Sequence, residues 1–310
     1  KMMAENTTTS SDNRCGVVAL VGAPNAGKST LLNALVGGKV SIVTPKVQTT
    51  RSRVTGVSVI GNTQCIFVDT PGIFEPGRRL EKAMVDAAWS GAHDADTTVL
   101  LVDSRRRIES VDDDTVRIIA GLSESGTKPI LALNKVDAVA KNKLLALSEM
   151  LNSDGTFQET FMISALTGDG VTDLSRFIAQ SLPEGHWLYP EDQMADMPMR
   201  LLAAETTREK LFMQLHQELP YHLTVETENW EERSDGSVRI DQVVYVSRST
   251  HKGIVLGKGG QLIKSVGSAS RRELEEALER RVHLFVYVKV REGWLDEPER
   301  YREMGLEYPR

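Results

Sequence analysis

The sequence predicts an α/β domain on a mostly parallel sheet with helices on both faces, followed by a smaller α+β domain. Three observations predict this. The 310-residue length suits about two domains at ~100–200 residues each. Five short apolar runs in the first half, separated by helical stretches, read as strands buried on both faces. A break with Pro183, Pro190 and Pro198 then precedes a stretch with the pattern α-β-β-α-α-β.

The elements follow in order. Val17-Val18-Ala19-Leu20-Val21 ends in glycine, and Cys65-Ile66-Phe67-Val68 ends in Asp69. Thr98-Val99-Leu100-Leu101-Val102 ends in Asp103, and Pro129-Ile130-Leu131-Ala132-Leu133 ends in Asn134. Phe161-Met162-Ile163 ends in Ser164. Parallel sheets bind ligands at the carboxyl ends of their strands, so these terminal residues are expected to gather around one site. After the break, a helical stretch from Met199 to Leu219 is ended by Pro220. Alternating segments, Leu223 to Glu231 and Ser237 to Ser247, flank the turn Ser234-Asp235-Gly236 and predict a hairpin. Ile254-Val255-Leu256, the glycine loop at 257–260, a helix to about Arg281 and a strand from Val282 to Val290 complete the domain. The expected division is a tail at 1–13, a first domain at 14–184, a linker at 185–198, and a second domain with its C-terminal tail at 199–310. Asn6 to Asn13 is small and polar and is expected to be disordered. Asp296 to Arg310 is highly charged and is expected to be a mobile helix.

Composition narrows the class. Hydrophobic residues make up 40% and charged residues 26%, an ordinary globular mix. No run of ~18 apolar residues predicts a membrane span. Cys15 and Cys65 alone cannot staple a chain of this size, which points to a reducing compartment. The net charge of −6 argues against nonspecific nucleic-acid binding by the whole chain, though not by a local patch. The chain opens Lys1-Met2-Met3, so upstream trimming is expected, and no signal peptide follows. The expected location is the cytoplasm, or an organelle matrix if a transit peptide has been removed.

Gly22-Ala23-Pro24-Asn25-Ala26-Gly27-Lys28-Ser29 fits G-x-x-x-x-G-K-[ST], after a strand and before a helix over Thr30 to Val36. Its glycines let backbone N–H groups cradle phosphates, and the helix N-terminus adds a favourable dipole. Lys28 is expected to reach the β and γ phosphates, and the Ser29 hydroxyl to ligate Mg²⁺. Asp69-Thr70-Pro71-Gly72 follows at another strand end. Asp69 is expected to hold Mg²⁺ through water, and the Gly72 N–H to meet the γ-phosphate. In Asn134-Lys135-Val136-Asp137, a carboxylate at Asp137 can accept from both N1–H and the 2-amino group of guanine. Adenine lacks that donor pair, so unpaired polar groups would reject ATP. Ser164-Ala165-Leu166 closes the base pocket from the next strand end. Each motif alone has a plain reading as a turn or a helix cap. Their joint order at successive strand ends favours a guanine-nucleotide site.

Gly257-Lys258-Gly259-Gly260 fits a G-x-x-G loop, where glycines let a sugar-phosphate backbone approach. Between Arg248 and Arg291 lie ten basic and four acidic residues, a local excess within an acidic chain. Lys258 and Lys264 are the expected phosphate contacts. The helix charges are expected to pair along the helix, as in Glu276 with Arg280. Ile254, Leu256, Leu262 and Ile263 would either floor a base-stacking groove or pack in the core. Trp294 would either stack on a base or anchor the tail.

Together these motifs, with Gln48-Thr49-Thr50-Arg51 as a threonine-rich switch, resemble a translation-factor-class GTPase. Joined to the second domain, they resemble the Era family over about Cys15 to Arg310. Leu188-Tyr189-Pro190-Glu191-Asp192-Gln193 through Leu219-Pro220-Tyr221 is most similar to alphaproteobacterial members. The resemblance implies an α/β P-loop GTPase domain followed by an α+β type II KH domain. It implies that Thr50, with Thr49 as the alternative, ligates Mg²⁺ in the GTP state. No catalytic role falls to Arg51 or Arg53. Where Ras-like GTPases place a water-orienting glutamine this chain has Ile73, so intrinsic hydrolysis should be slow. The family pattern implies a K⁺ ion on Asn25 that offsets charge between the β and γ phosphates. Lys28, Asn25, Thr50 and Gly72 are thus the catalytic candidates.

By the same resemblance the partner is the single-stranded 3′ end of small-subunit (16S) ribosomal RNA, and the function is GTP-switched assistance to 30S subunit assembly by a monomer. Peripheral inner-membrane contact belongs to the family pattern but has no apolar anchor here. Two alternatives differ in class: a membrane-associated or cell-cycle signalling GTPase with the KH domain as a docking module, and a constitutive RNA-binding protein with a structural nucleotide.

Overall fold

The computed structural model describes residues 13–44, 46, 49–51, 53–105, 113–191, 193, 199–216 and 219–309. The expected disordered tail lies outside these residues, apart from Asn13. In the first domain β1 (Arg14–Gly22) leads into α1 (Lys28–Val36). A hairpin follows, β2 (Val54–Ile60) and β3 (Thr63–Asp69), and then α2 (Arg79–His93). After it come β4 (Thr97–Asp103), α3 (Asp113–Glu124), β5 (Ile130–Asn134) and α4 (Lys141–Asn152). The domain closes with β6 (Thr160–Ile163) and α5 (Val171–Ser181).

The sheet runs β2-β3-β1-β4-β5-β6, parallel throughout except for β2. Alternate residues of β1 enter opposite cores. Val18 and Leu20 pack with Leu31 and Phe67, while Ala19 and Val21 pack with Leu100, Ile118 and Leu131. Burial on both faces is what makes these strands read as continuous apolar runs.

The sequence reading lacks β2. This antiparallel edge strand mixes threonine, glycine and serine with its valines, and its neighbour is local. Gly56 is needed there, because a Cβ would lie 2.6 Å from Val36 Cγ2 and 2.8 Å from Leu32 Cδ1 of α1. α1 begins at Lys28 rather than Thr30, directly behind the phosphate loop.

The second domain holds α6 (Met199–Gln214), β7 (Leu223–Glu232), β8 (Val238–Val246) and α7 (Ser249–Leu256). α8 (Gln261–Leu278) and β9 (Val282–Val290) follow. Its sheet is antiparallel between β7 and β8 and parallel between β8 and β9. α6 ends at Gln214, earlier than its expected limit at Leu219, and Leu219–His222 forms a separate 3₁₀ turn into β7. Proline cannot donate to a helix ladder, so the chain re-enters as a turn at Pro220.

Both segments flanking the second domain pack against the first. The Gln64 side chain accepts from the backbone N–H groups of Leu188 and Tyr189, at 2.8 and 3.0 Å. The start of the expected linker therefore lies along β3, while residues 192 and 194–198 fall outside the description. The expected mobile C-terminal helix is short, α9 (Pro298–Glu303), and it is docked. Tyr301 and Leu306 bury against Leu80, Ala83 and Met84 of α2. Trp294 is fully buried and donates to Ser247 Oγ at 3.1 Å, so it anchors the tail and is closed to a stacking base. The charges misled here because the buried apolar positions are few and spaced between acids and arginines. Among the described residues, no helix is long and apolar enough to cross a membrane.

Tyr301 has no exposed surface and donates to the Leu295 carbonyl at 2.7 Å. Tyr301→Ala is expected to lower stability by about 3 kcal/mol, as buried aromatic truncations do. Urea unfolding checks it, and an unchanged midpoint would contradict the docked tail.

Candidate nucleotide site and nucleic-acid interface

The carboxyl ends of β1, β3, β4 and β5 meet at a cavity of about 590 Å³, within the ordinary range for a small-molecule site. The loop from Gly22 to Gly27 forms one wall. Gly27 has φ +102°, and a Cβ there would lie 2.2 Å from Asn134 Nδ2, so only glycine fits. Asn25 is exposed at the cavity wall in the left-handed region, φ +63°. Lys28 is buried and its ammonium donates to the carbonyls of Gly22 and Ala23, at 3.0 and 3.1 Å. Burial pulls its pKa down to about 8 despite the attraction of Asp69. A phosphate would supply the counter-charge that this ammonium lacks.

Asp69 ends β3 with no exposed surface. Burial raises its pKa against the opposing pull of Lys28 and of hydroxyl hydrogen bonds. Its Oδ2 accepts from Ser29 Oγ at 2.6 Å, Ser41 Oγ at 3.0 Å and Thr50 Oγ1 at 3.4 Å. Ser29 Oγ and Thr50 Oγ1 are themselves 2.9 Å apart. The other oxygen, Oδ1, is buried without a hydrogen-bond partner. Two hydroxyls and a carboxylate with a spare lone pair form the all-oxygen set that suits Mg²⁺. Thr49 points elsewhere: its hydroxyl lies 2.6 Å from Thr44 Oγ1 and donates to the Lys46 carbonyl at 2.8 Å. Of the two threonines, Thr50 is the one brought to Asp69.

Past Asp69, the Thr70 hydroxyl donates to the Leu20 carbonyl at 2.9 Å and ties β3 to β1. Pro71 is buried, and Gly72 lies so close to the loop that a Cβ would meet Pro24 at 3.0 Å. Ile73 N–H donates to the Gly22 carbonyl at 3.2 Å, and its side chain is wholly buried in the core. It can neither touch a nucleotide nor orient water. Ala23 and Ala26 likewise pack inward.

The base side is a pocket of about 250 Å³ lined by Thr30, Asn134, Lys135, Asp137, Ser164, Ala165 and Leu166 among others. Asn134 acts as a bracket. Its Nδ2 donates to the Ala26 carbonyl at 2.8 Å, and its Oδ1 accepts from the N–H groups of Lys135 and Ala165 at 2.8 and 2.9 Å. One side chain thus fastens the phosphate loop, the end of β5 and the loop after β6. Asp137 and Leu166 are exposed in this pocket, while Val136 is half-buried and does not line it.

Sequence reasoning missed Ser41, Arg105 and Met213, and placed Asp103 at the site only as a strand end, without a role. Asp103 accepts from Lys135 Nζ at 2.8 Å and from Arg105 Nε and Nη2 at 3.0 and 2.8 Å. Burial opposes its ionisation, but these two cations outweigh it and hold the carboxyl down to about 2. Arg105 lines both the phosphate and base pockets, and Met213 of α6 reaches the phosphate cavity. The three missed residues carry no motif or strand-end signal.

In the second domain Gly257, Gly259 and Gly260 have φ of +71°, +61° and +76°. A Cβ on Gly257 would meet Leu262 Cβ at 2.7 Å. This backbone turns α7 into α8 and leaves Lys258 and Lys264 exposed, with no hydrogen bond or ion pair to described residues. Ile254 is exposed beside the loop, whereas Leu256, Leu262 and Ile263 pack against the core. The expected Glu276–Arg280 pair is replaced by one between Arg280 and Glu232 of β7. Lys289 and Arg291 also pair with acids, Glu228 and Glu297, which narrows the basic patch toward the glycine loop.

Comparison with known proteins agrees with both halves. The 50S ribosome-binding GTPase family model matches residues 17–135, and the KH domain model matches residues 218–295. GTPase Era of Rhizobium meliloti (strain 1021) is 58% identical over 297 residues, covering 96% of this chain and 94% of that protein. GTPase Era of Bradyrhizobium sp. (strain ORS 278) is 56% identical over 309 residues, the full length of both. Among solved structures, Era in complex with MgGDPNP and nucleotides 1506–1542 of 16S ribosomal RNA is 39% identical. It superposes with a TM-score of 0.88 over 94% of this chain and 99% of that chain. An Aquifex aeolicus Era variant bound to GDP·AlF₄⁻ matches with the same identity, coverage and TM-score. With phosphate loop, base pocket and glycine loop joined as in these relatives, the chain belongs to the Era family of GTPases.

Proposed function

We propose that this chain hydrolyses GTP with Mg²⁺ and binds the 3′ end of 16S ribosomal RNA during 30S subunit maturation, with the nucleotide state controlling RNA binding. One observation carries the chemistry: Ser29, Thr50 and Asp69 converge beneath a cavity that continues into a guanine-sized pocket. The RNA reading rests on the related Era bound to that segment and on the exposed glycine loop. The working division is 14–184 for the GTPase domain, 185–198 for the linker, and 199–310 for the KH domain and tail.

Each residue then has a role. The backbone from Gly22 to Ser29 cradles the phosphates, and Thr30 continues that wall. Lys28 neutralises the β and γ phosphates. Ser29 and Thr50 would ligate Mg²⁺, with Asp69 holding it through water. When bound, the ion would supply charge neutralisation at the phosphates. Gly72 offers its N–H to the γ-phosphate, positioned by Thr70, Pro71 and the Ile73 amide. Asp137 reads guanine, while Asn134 and Lys135 hold the pocket and Ser164, Ala165 and Leu166 close it. Asn25 holds a K⁺ ion in place of an arginine finger. Gly257, Gly259 and Gly260 admit the RNA backbone, with Lys258 and Lys264 on its phosphates.

Asp137→Asn replaces an acceptor with a mixed donor and acceptor. GTP affinity is expected to fall by roughly 100-fold or more, while xanthosine triphosphate, with a carbonyl in place of the amine, gains. Competition against labelled nucleotide reads both, and equal losses for the two bases count against Asp137 as the guanine reader. Hydrolysis in K⁺ buffer is expected to run roughly tenfold faster than in Na⁺, a difference that Asn25→Ala removes. Identical rates in the two salts eliminate the cation. A single-stranded RNA copied from the 16S 3′ end is expected to bind about 5–10-fold tighter with a non-hydrolysable GTP analogue than with GDP. Equal affinity would sever the switch from the RNA site.

A further inference from the structure

The second domain, chiefly through α6, grips the first domain's segment from Lys39 to Arg51 at five of its described residues, Lys39, Val43, Lys46, Thr49 and Arg51. Glu209, almost wholly buried, accepts from the Val43 N–H at 2.9 Å and pairs with Lys39 at 2.7 Å. Lys46 donates to the Phe212 carbonyl. The Arg208 guanidinium, also buried, donates to the Thr49 carbonyl. Arg51 runs into the second domain and donates to the carbonyls of Leu223 and Pro220, at 2.8 and 3.3 Å. Met213, one position beyond Phe212 on α6, stands in the wall of the phosphate cavity.

These contacts bracket Thr50. The Thr49 carbonyl belongs to the peptide plane that also carries the Thr50 nitrogen. Its partner, Arg208, is itself fixed: Nε donates to Glu205 Oε1 at 2.8 Å, and the guanidinium lies 5.0 Å from the centre of the Phe212 ring. Glu209 fixes the same segment further upstream, at Val43, and Arg51 fixes it on the other side of Thr50 through the Leu223 and Pro220 carbonyls. Among the described residues of the first domain, Thr50 is held through its side-chain contacts with Ser29 and Asp69. A hydroxyl that must meet a metal within a fraction of an ångström needs its backbone held as well.

We propose that Arg208 and Glu209 are positioning residues for GTP hydrolysis, so that the RNA-binding domain supplies in cis the rigid support that aims Thr50. This rests on the GTPase reading given above, with Thr50 as a Mg²⁺ ligand. Linkage makes it reciprocal: whatever moves α6 moves Thr50, and whatever orders Thr50 favours α6 in this place.

The test uses the full chain. For wild type, Arg208→Ala and Glu209→Gln, kcat and KM for GTP, the Mg²⁺ concentration at half-maximal rate and the Kd for GDP are measured. Arg208→Ala is expected to lower kcat about tenfold and raise the Mg²⁺ requirement, with GDP affinity held within about twofold, because GDP binding does not need Thr50. Glu209→Gln keeps an acceptor for Val43 but loses the pair with Lys39, so it should lie between wild type and Arg208→Ala. Retained GDP affinity shows that the first domain is folded, and Glu209→Gln carries the test if Arg208→Ala does not fold. Unchanged kcat and Mg²⁺ requirement in a folded variant overturn the proposal while leaving the GTPase reading intact. An inert wild-type chain overturns both. Parallel loss of GDP affinity and kcat in both variants also overturns it, since that pattern marks general damage and not aim.

Discussion

The buried carboxylate of Asp69 is where three separate stretches of the chain meet. Ser29 comes from the phosphate loop, and Ser41 and Thr50 come from the segment between α1 and β2. Desolvation alone would make this carboxylate costly. Lys28, through space, and three hydroxyls offset part of that cost, though burial still holds the pKa above its usual value. An interaction so arranged is conditional. It holds while the segment around Thr50 is in place, and it leaves Oδ1 without a partner. A metal-bound water is a partner that would satisfy that oxygen.

Rigidity on the other side of the nucleotide comes from Asn134. Its amide uses donor and acceptor together to hold three loops that lie far apart in sequence. Asn134 is therefore a clamp, and Asp137, three residues on, stands exposed in the pocket. Two non-glycine residues with left-handed backbones, Asn25 and Lys135, sit side by side here, with Lys135 Nζ donating to the Asn25 carbonyl. Such conformations persist only where surrounding bonds over-determine them. The Asp103 carboxylate, shared by Lys135 and Arg105, is one of those bonds.

The two domains are not independent modules on a tether. The linker's start lies along β3, the C-terminal segment packs on α2, and α6 grips the segment around Thr50. Two buried guanidinium groups, Arg51 and Arg208, share this interface with Glu205 as their carboxylate. Burial and the neighbouring Arg208 pull Arg51 down to about 9. With Glu209 also buried there, two guanidinium groups face two carboxylates, and the cost of taking these charges out of water offsets much of their attraction. That is the electrostatic condition for a contact that can be made and released.

The sequence by itself determined both domain types, the order of the nucleotide motifs and the glycine loop. These depend on short-range rules: apolar runs for two-sided strands, glycines where φ must be positive, and a lysine and a serine at a helix start. It also placed the final strand, Val282–Val290, to the residue. Tertiary structure decided the rest. It brought the Thr50 hydroxyl to Asp69 and turned that of Thr49 to Thr44, buried Ile73 and Trp294, added β2 at the sheet edge, and docked a tail whose charges suggested mobility. It also brought Arg208 to Thr49 and Glu209 to Val43, across separations of 159 and 166 residues. Periodicity reports only what lies within a turn or two of the chain. A side chain's partner on another domain leaves no local pattern, because the geometry that joins them exists only once both domains have folded.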